Sequence, residues 1–192
     1  IEGAVGGSAE TTPTIADLTA TQHHLPDAIN VLDLPYAAYI ARLDLVEAAL
    51  REAGLWGLPH PWIDVFVPRS AVASFVSAEL ERITPEDVVG PILVYPARRA
   101  PISTPNFPLP DEDEFVLFAL LRTALPPTPE RVAQLLAANG DIYERCLAVG
   151  GTGYAIDAVP LMPKHWQHHF GARWPALVAA KQRYCLLYTS PS

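Results

Sequence analysis

Gly54 to Pro68 reads GLWGLPHPWIDVFVP, and the fold follows from how this stretch is read. Gly54 can take the left-handed conformation that closes a helix, and Pro59 and Pro61 forbid a helix from continuing. The residue before each proline is driven toward extended backbone, so Leu58 and His60 are straightened as well. The pattern predicts a helix stop, a stiff Pro-His-Pro-Trp corner, and then a strand from Trp62 to Val67. At the two-residue period of a strand, Trp62, Asp64 and Phe66 share one face, and Ile63, Val65 and Val67 share the other. A strand face that carries an aromatic ring and a carboxylate suits a ligand wall better than plain core.

Upstream, residues 1 to about 25 are small and polar and read as a loop. Asp33 is placed to cap a helix, and Pro35 is tolerated in its first turn. Apolar residues then recur at Tyr36, Tyr39, Ile40, Leu43, Val46 and Leu50, until Gly54 stops the helix. Downstream, Ser70 is the expected cap of a second helix built on Val72, Phe75, Val76, Leu80 and Ile83, which Thr84-Pro85 ends. Gly90-Pro91 introduces a short strand, Ile92 to Tyr95, that Pro96 should close. A proline-rich excursion from Ala97 to Glu114 ends in the acidic run DEDE; a loop of this length is usually functional or mobile. The run FVLFALL, Phe115 to Leu121, fits either a strand or a buried helix by periodicity, and its length and flanks favour a strand.

Thr128-Pro129-Glu130 supplies a cap, a first-turn proline and an acid in sequence. The helix it opens carries Val132, Leu135, Leu136, Asn139, Ile142, Tyr143, Cys146 and Leu147 on one face. Gly150-Gly151 ends it, and Tyr154 to Val159 is expected as a fourth strand. A His-rich helical stretch and a last helix from Pro175 to about Gln182 follow. From Trp62 the order is therefore β-α-β twice over. That predicts an α+β domain of the split βαβ (ferredoxin-like) type, a four-stranded antiparallel sheet with helices on one face. A parallel α/β sheet is disfavoured, because one link joins two strands with no helix between them.

The 192 residues suffice for one domain, and with 50% apolar residues a substantial core is available. No apolar run approaches the roughly 20 residues of a membrane span. The first residues show neither a basic n-region nor an apolar h-region and no initiator Met, so the sequence is expected to begin inside a longer protein. A net charge of −8 disfavours a nucleic-acid partner. The two cysteines, Cys146 and Cys185, make neither a disulfide framework nor a metal-binding spacing, and Cys146 falls on an apolar helix face.

Local motifs add little chemistry. His165, His168 and His169 put imidazoles on one helix face, but a metal site wants a third ligand and a second shell, so a polar helix end is the better reading. GGTG at 150–153 follows a helix and precedes a strand, the reverse of a phosphate cradle. No GxSxG, P-loop or CxxC occurs. The carboxylates of Asp64 and Glu47 are candidates to bond the ring nitrogens of a flat heteroaromatic ligand while Trp62 covers its face. Against this stand a sheet-edge carboxylate for Asp64 and a solvated helix charge for Glu47. Tyr95 and Phe115 belong either to the same wall or to the core, and core is the better reading for Phe115.

Several stretches carry a resemblance, in the same order along the sequence. GLWGLPHPWIDVFVPRS resembles the G-L-W-x-x-P-H-P-W-L-N-hydrophobic-F-V-P segment of cytokinin dehydrogenases, flavoproteins of the FAD-linked oxidase superfamily. DLPYAAYIARL, GPILVYP, FVLFALLRTALP, HWQHHFGARW and ALVAAKQRY are similar to further segments of that family, so the resemblance spans about residues 30 to 184. It implies a substrate domain that covers the flavin of a separate N-terminal FAD domain, which would bind most of the FAD. It also implies Trp62 beside the substrate cavity, Asp64 at the position of the family's substrate-site Asn, and Leu43 and Val46 at the cavity mouth.

The implied reaction oxidises the C–N bond to the substituent of an N6-substituted adenine. Hydride passes to flavin, a carboxylate takes the amine proton, and the imine hydrolyses to adenine and an aldehyde. Asp64 in place of Asn trades a donor–acceptor amide for a group that only accepts when ionised. Val46 stands where some relatives carry an acid. The flavin-linking His and the catalytic Asp are expected upstream, and the isolated 192 residues are expected to be inactive. Residues 1–29 read as the remnant of a preceding region and 185–192, CLLYTSPS, as a tail foreign to the domain. A sister oxidase acting on an alcohol or sugar, and a stand-alone small-molecule binding module, are the alternative readings.

Overall fold

In a computed structural model, residues 13–20, 27, 29 and 31–184 are described. The protein divides into two compact units, one up to Glu52 and one from Ala53 onward. In the first, α1 (Ile15–Thr19) begins at a capping box in which Thr14 and Asp17 satisfy each other's backbone N–H. The single helix expected from Asp33 to Gly54 is two, α2 (Tyr36–Ile40) and α3 (Asp44–Glu52). Tight i→i+3 bonds from Arg42 to Tyr39 and from Asp44 to Ala41 break the ladder between them. Pro35, not Asp33, holds the first cap position. The apolar period runs through both helices and so does not report the break. Predicted loop residues 1–12 and the tail 185–192 lie outside the described residues.

The second unit is the α+β domain the order of elements predicts. Strand β1 (Ile63–Pro68) leads through a 3₁₀ turn, Arg69–Ala71, into α4 (Val72–Arg82). That turn takes over the capping role assigned to Ser70, whose N–H and hydroxyl both go to Glu112 instead. Thr84 and Asp87 form a capping box at the start of α5 (Pro85–Val88). Strand β2 (Ile92–Arg98) runs on through Pro96. It does so because β2 is an edge strand, the place in a sheet where a residue without an N–H is tolerated. The run FVLFALL is strand β3 (Glu114–Leu120), and Thr128 caps α6 (Pro129–Ala148) as expected. Strand β4 is only Thr152–Gly153. Two further helices, α7 (Pro163–Phe170) and α8 (Trp174–Tyr184), follow it and are joined by a 3₁₀ turn.

The sheet order is β2-β3-β1-β4 and every pairing is antiparallel. That is the split βαβ topology: β1 and β2, linked through α4, are separated by β3, and β3 and β4, linked through α6, are separated by β1. One face carries Ile63, Val65 and Val67 of β1 and Phe118 and Leu120 of β3. These pack with Phe75 of α4 and with Ile142, Tyr143 and Cys146 of α6 into one buried cluster. Burial at about 1.5–3 kcal/mol per large apolar side chain makes this face the main source of stability. The opposite face carries Asp64 and Phe66 of β1, Leu117 and Ala119 of β3, and Tyr95 of β2. At one end of it Phe66 meets Phe107, Phe115 and Tyr154 edge-on or tilted, with centroids 5.2, 5.6 and 6.0 Å away. Phe115 is core, as expected.

Candidate functional site

The corner that delivers Trp62 is held by more than its prolines. Prolines remove donors but leave carbonyl oxygens that must find partners when buried. Pro59 O accepts from Ala124 N (2.9 Å). Pro61 O accepts from the side-chain amide of Asn139 (3.0 Å), which also reaches Ala158 O (2.9 Å) and, more distantly, Trp62 O (3.4 Å). Trp62 O takes the N–H of Ala158 at 3.0 Å. His60 bridges Thr123 Oγ1 and Trp56 O, 3.1 and 3.3 Å away. Asn139 is 0% exposed in the middle of α6, so one buried amide ties the helix, the corner and the 154–158 segment together. With Pro61, Ile63 and Asn139 buried beneath it, the Trp62 ring stays 45% exposed on the other side.

Asp64 is half-buried, and its surroundings were not readable from the sequence. The strand expected over Tyr154–Val159 stops at Gly153, because residues 154–157 close a turn in which Asp157 N bonds Tyr154 O (3.2 Å). The segment still follows the edge of β1, through Tyr154 N to Asp64 O and Ala158 N to Trp62 O, both 3.0 Å. Between these two bonds the Asp157 carboxyl takes the place of a backbone carbonyl and accepts the Asp64 N–H at 2.9 Å. Two carboxyl groups therefore share one spot on the sheet edge. Burial raises the Asp64 carboxyl above the ordinary range, against a lowering hydrogen bond from Asp157. Burial, reinforced by the Asp64 charge, pushes Asp157 up to about 8.

Of the six residues expected in the site, the structure gathers Trp62, Asp64 and Tyr95 on the sheet face away from α4 and α6. Asp64 pairs across to Ala119 and Tyr95 to Leu117, so Tyr95 lies two strands from Asp64, about 10 Å at ordinary strand spacing. Leu43, Val46 and Glu47 belong to the first unit. Leu43 is not on the helix but at its cap position, where its carbonyl accepts the N–H of Glu47 at 2.9 Å; Leu43 and Val46 are both exposed. Glu47 pairs with Arg51 at 2.8 Å, one helical turn on, as a solvated helix charge would.

Sequence reading missed Asp157 and the role of Asn139. Asn139 left a signal, a lone amide on an otherwise apolar helix stripe, which must find partners when buried. Asp157 left none, since its significance comes from β1, 93 residues away.

Other features resolve into structural roles. A would-be Cβ on Gly151 lies 2.3 Å from Cys146 Sγ, and one on Gly153 lies 2.6 Å from Tyr143 Cε2, so the GGTG glycines let the backbone close on α6. These glycines do not fit a phosphate group of FAD, and what this protein segment offers such a cofactor is a substrate-side wall. His165 Nδ1 accepts the Met162 N–H at the start of α7 (2.9 Å), and His169 packs edge-on against Phe170, centroids 4.7 Å apart. A cleft of about 420 Å³ lies between the 99–113 loop and α7, lined by Phe107, His168 and Phe170 among others. It includes neither Trp62 nor Asp64, which form a wall rather than a pocket. No helix among the described residues is long and apolar enough to cross a membrane.

An antiparallel split βαβ sheet, helix-packed on one face and carrying an aromatic–carboxyl wall on the other, is an α+β domain of the substrate-binding kind. The chain belongs to the family described as cytokinin dehydrogenase 1, FAD and cytokinin binding, whose model matches residues 7–187. An uncharacterized oxidoreductase, ORF5 in the fasciation locus of Rhodococcoides fascians, is 38% identical over 154 residues, covering 79% of this chain and 34% of that protein. Cytokinin dehydrogenase 5 of Oryza sativa subsp. japonica is 34% identical over 170 residues, covering 83% of this chain and 31% of its own length. Cytokinin dehydrogenase 1 of Arabidopsis thaliana is 29% identical over 175 residues, 87% of this chain and 30% of its own. The chain thus spans about a third of the length of these curated relatives.

Proposed function

We propose that residues 30–184 are the substrate-side part of a FAD-dependent oxidoreductase that oxidises the C–N bond to the substituent of N6-substituted adenines. The observation that carries this reading is the family match over 7–187 together with Trp62 and Asp64 on adjacent outward positions of one pinned strand. Trp62 covers one face of the purine, contributing stacking and apolar contact. Asp64, two residues on, meets the polar edge of the ring, and Tyr95 bounds the wall on the β2 side. Leu43, Val46 and Glu47 shape the mouth of the cavity. FAD, when bound, supplies the hydride acceptor. The flavin-binding domain, the catalytic carboxylate and the remaining cavity walls come from the rest of the protein, and the 192 residues alone have no turnover. Their contribution is to position the substrate and exclude water from one side of it.

The test is turnover by the full-length, FAD-loaded protein on N6-isoprenoid and N6-benzyl adenines, set against simple alcohols and sugars. The expected result is oxidation of the adenines alone, with a KM raised about tenfold in Trp62→Ala from the lost ring contact. Turnover of alcohols or sugars without adenines replaces this reading with that of a sister oxidase. A flavin absorption band near about 450 nm in the purified 192-residue protein would refute the division of labour.

A further inference from the structure

We propose that Asp64 and Asp157 hold a single proton between them, and that Asp157 is the positioning residue through which Asp64 presents both a donor and an acceptor to the polar edge of a heteroaromatic ligand. This rests on the substrate-side reading of the Trp62 face given above, and it names the group that reads the ligand edge.

The two carboxyl groups are fixed in place from both sides. Asp157 Oδ2 accepts the Asp64 N–H at 2.9 Å. The turn carrying Asp157 is tied to β1 by Tyr154 N to Asp64 O and Ala158 N to Trp62 O, and its own N–H goes to Tyr154 O. Neither group can swing away without breaking sheet-edge bonds. The side chains also hydrogen-bond to each other. Two ionised carboxylates only accept, so a bond between them requires a proton on one. The second oxygen of Asp157, Oδ1, is buried without a partner, and a full charge there would be left unsolvated.

The groups around the pair leave the proton as the remaining means of relief. From β3, Ala119 stands opposite Asp64. From α6, Asn139 is neutral and spends its amide on Pro61, Trp62 and Ala158 carbonyls. From the corner, His60 is engaged with Thr123 and Trp56. On the 154–158 turn, the Tyr154 ring packs on Phe66 and Phe107. Among the described residues no cation acts on either carboxyl, and burial raises both above the usual carboxylate range. Like charges at this distance do not both ionise, and the pair loses its protons as a unit. In the singly protonated state Asp64 carries the donor–acceptor pair of an asparagine amide. When the last proton leaves, the donor is lost and a second negative charge faces the ligand.

The first test is a titration of the 192-residue protein by the ¹³C signals of its aspartate carboxyl carbons. One of the two carboxyls should keep its proton to above about pH 6, and Asp157→Asn should lower the Asp64 midpoint by about one unit or more. Both groups fully ionised by about pH 5 would overturn the proposal. The second test uses the full-length, FAD-loaded enzyme. Its kcat/KM for an N6-substituted adenine should fall about tenfold on the alkaline side as the donor is lost. Asp64→Asn, which carries a permanent donor, should remove that fall, and an alkaline fall that survives in Asp64→Asn overturns the proposal. A proton pair found by titration in an enzyme inert toward N6-substituted adenines sustains the pair and refutes the substrate reading.

Discussion

Replacing Asn139 by alanine should loosen the corner that presents Trp62 while leaving the apolar core composition almost unchanged. The side-chain amide donates at 3.0 Å to Pro61 O and at 2.9 Å to Ala158 O, with a longer contact of 3.4 Å to Trp62 O. Trp62 O keeps its bond from Ala158 N, so two carbonyls lose their main donor. Pro61 O is buried and carries most of the penalty; Ala158 is partly open and water can reach it. At about 1–3 kcal/mol for a buried orphaned acceptor, less for the wetter one, plus a small cavity, the loss is about 3 kcal/mol. For a protein of this length that corresponds to a Tm lower by roughly 6–12 °C. Asn139→Asp should be worse at neutral pH, since it sets a carboxylate against three carbonyl oxygens, and should recover part of the loss in acid, where a protonated carboxyl donates once. Thermal unfolding followed by circular dichroism, with tryptophan fluorescence as the local probe, reads both effects. An Asn139→Ala variant that melts within about 2 °C of the parent would refute the account of the corner.

Three further outcomes rest on particular contacts. Glu79 is 1% exposed and takes two bonds from Arg145, at 2.6 and 2.8 Å; Arg145→Met should cost about 3 kcal/mol by stranding that charge, and Glu79→Met with Arg145→Met should restore most of it in urea unfolding. Gly90→Ala should cost about 3 kcal/mol or prevent soluble expression, because the new Cβ would sit 2.0 Å from the Leu121 carbonyl oxygen at the start of the β2–β3 pairing; an alanine variant of unchanged urea midpoint would contradict it. Asp157 has a raised carboxyl in the fold, up to about 8, so its contribution to stability is fully present below about pH 4 and is lost as pH rises through about 8. Urea midpoints at several pH values in that window should therefore fall with pH from this source in the parent and fall less in Asp157→Asn, and identical slopes would rule out the assignment.

Much of this domain was legible without coordinates because its signals are local. Thr128-Pro129 starts α6, Gly54 with φ +70° ends the region of α3, and the alternation of Ile63, Val65 and Val67 puts one face of β1 in the core. These follow from caps, left-handed glycine and strand period, each acting over a few residues. The order of those elements was enough to give the sheet topology. The misreadings are equally instructive. Pro96 stops a strand only where its nitrogen faces a partner, and the sequence does not mark β2 as an edge. The Tyr36–Leu50 period runs through two helices because a break of three residues shifts the apolar stripe too little to interrupt it.

By itself, then, the sequence determined the class of fold, the faces of its strands, the family, and the two residues that head the wall, Trp62 and Asp64. Only the tertiary structure decided what Asp64 is chemically. Its character depends on Asp157, brought beside it by a turn at the far end of the domain. The orientation of Trp62 depends on Asn139, which reaches across 78 residues to Pro61. Propensity and periodicity are properties of neighbouring residues, whereas a proton affinity is set by whatever charge and solvent surround a group in space.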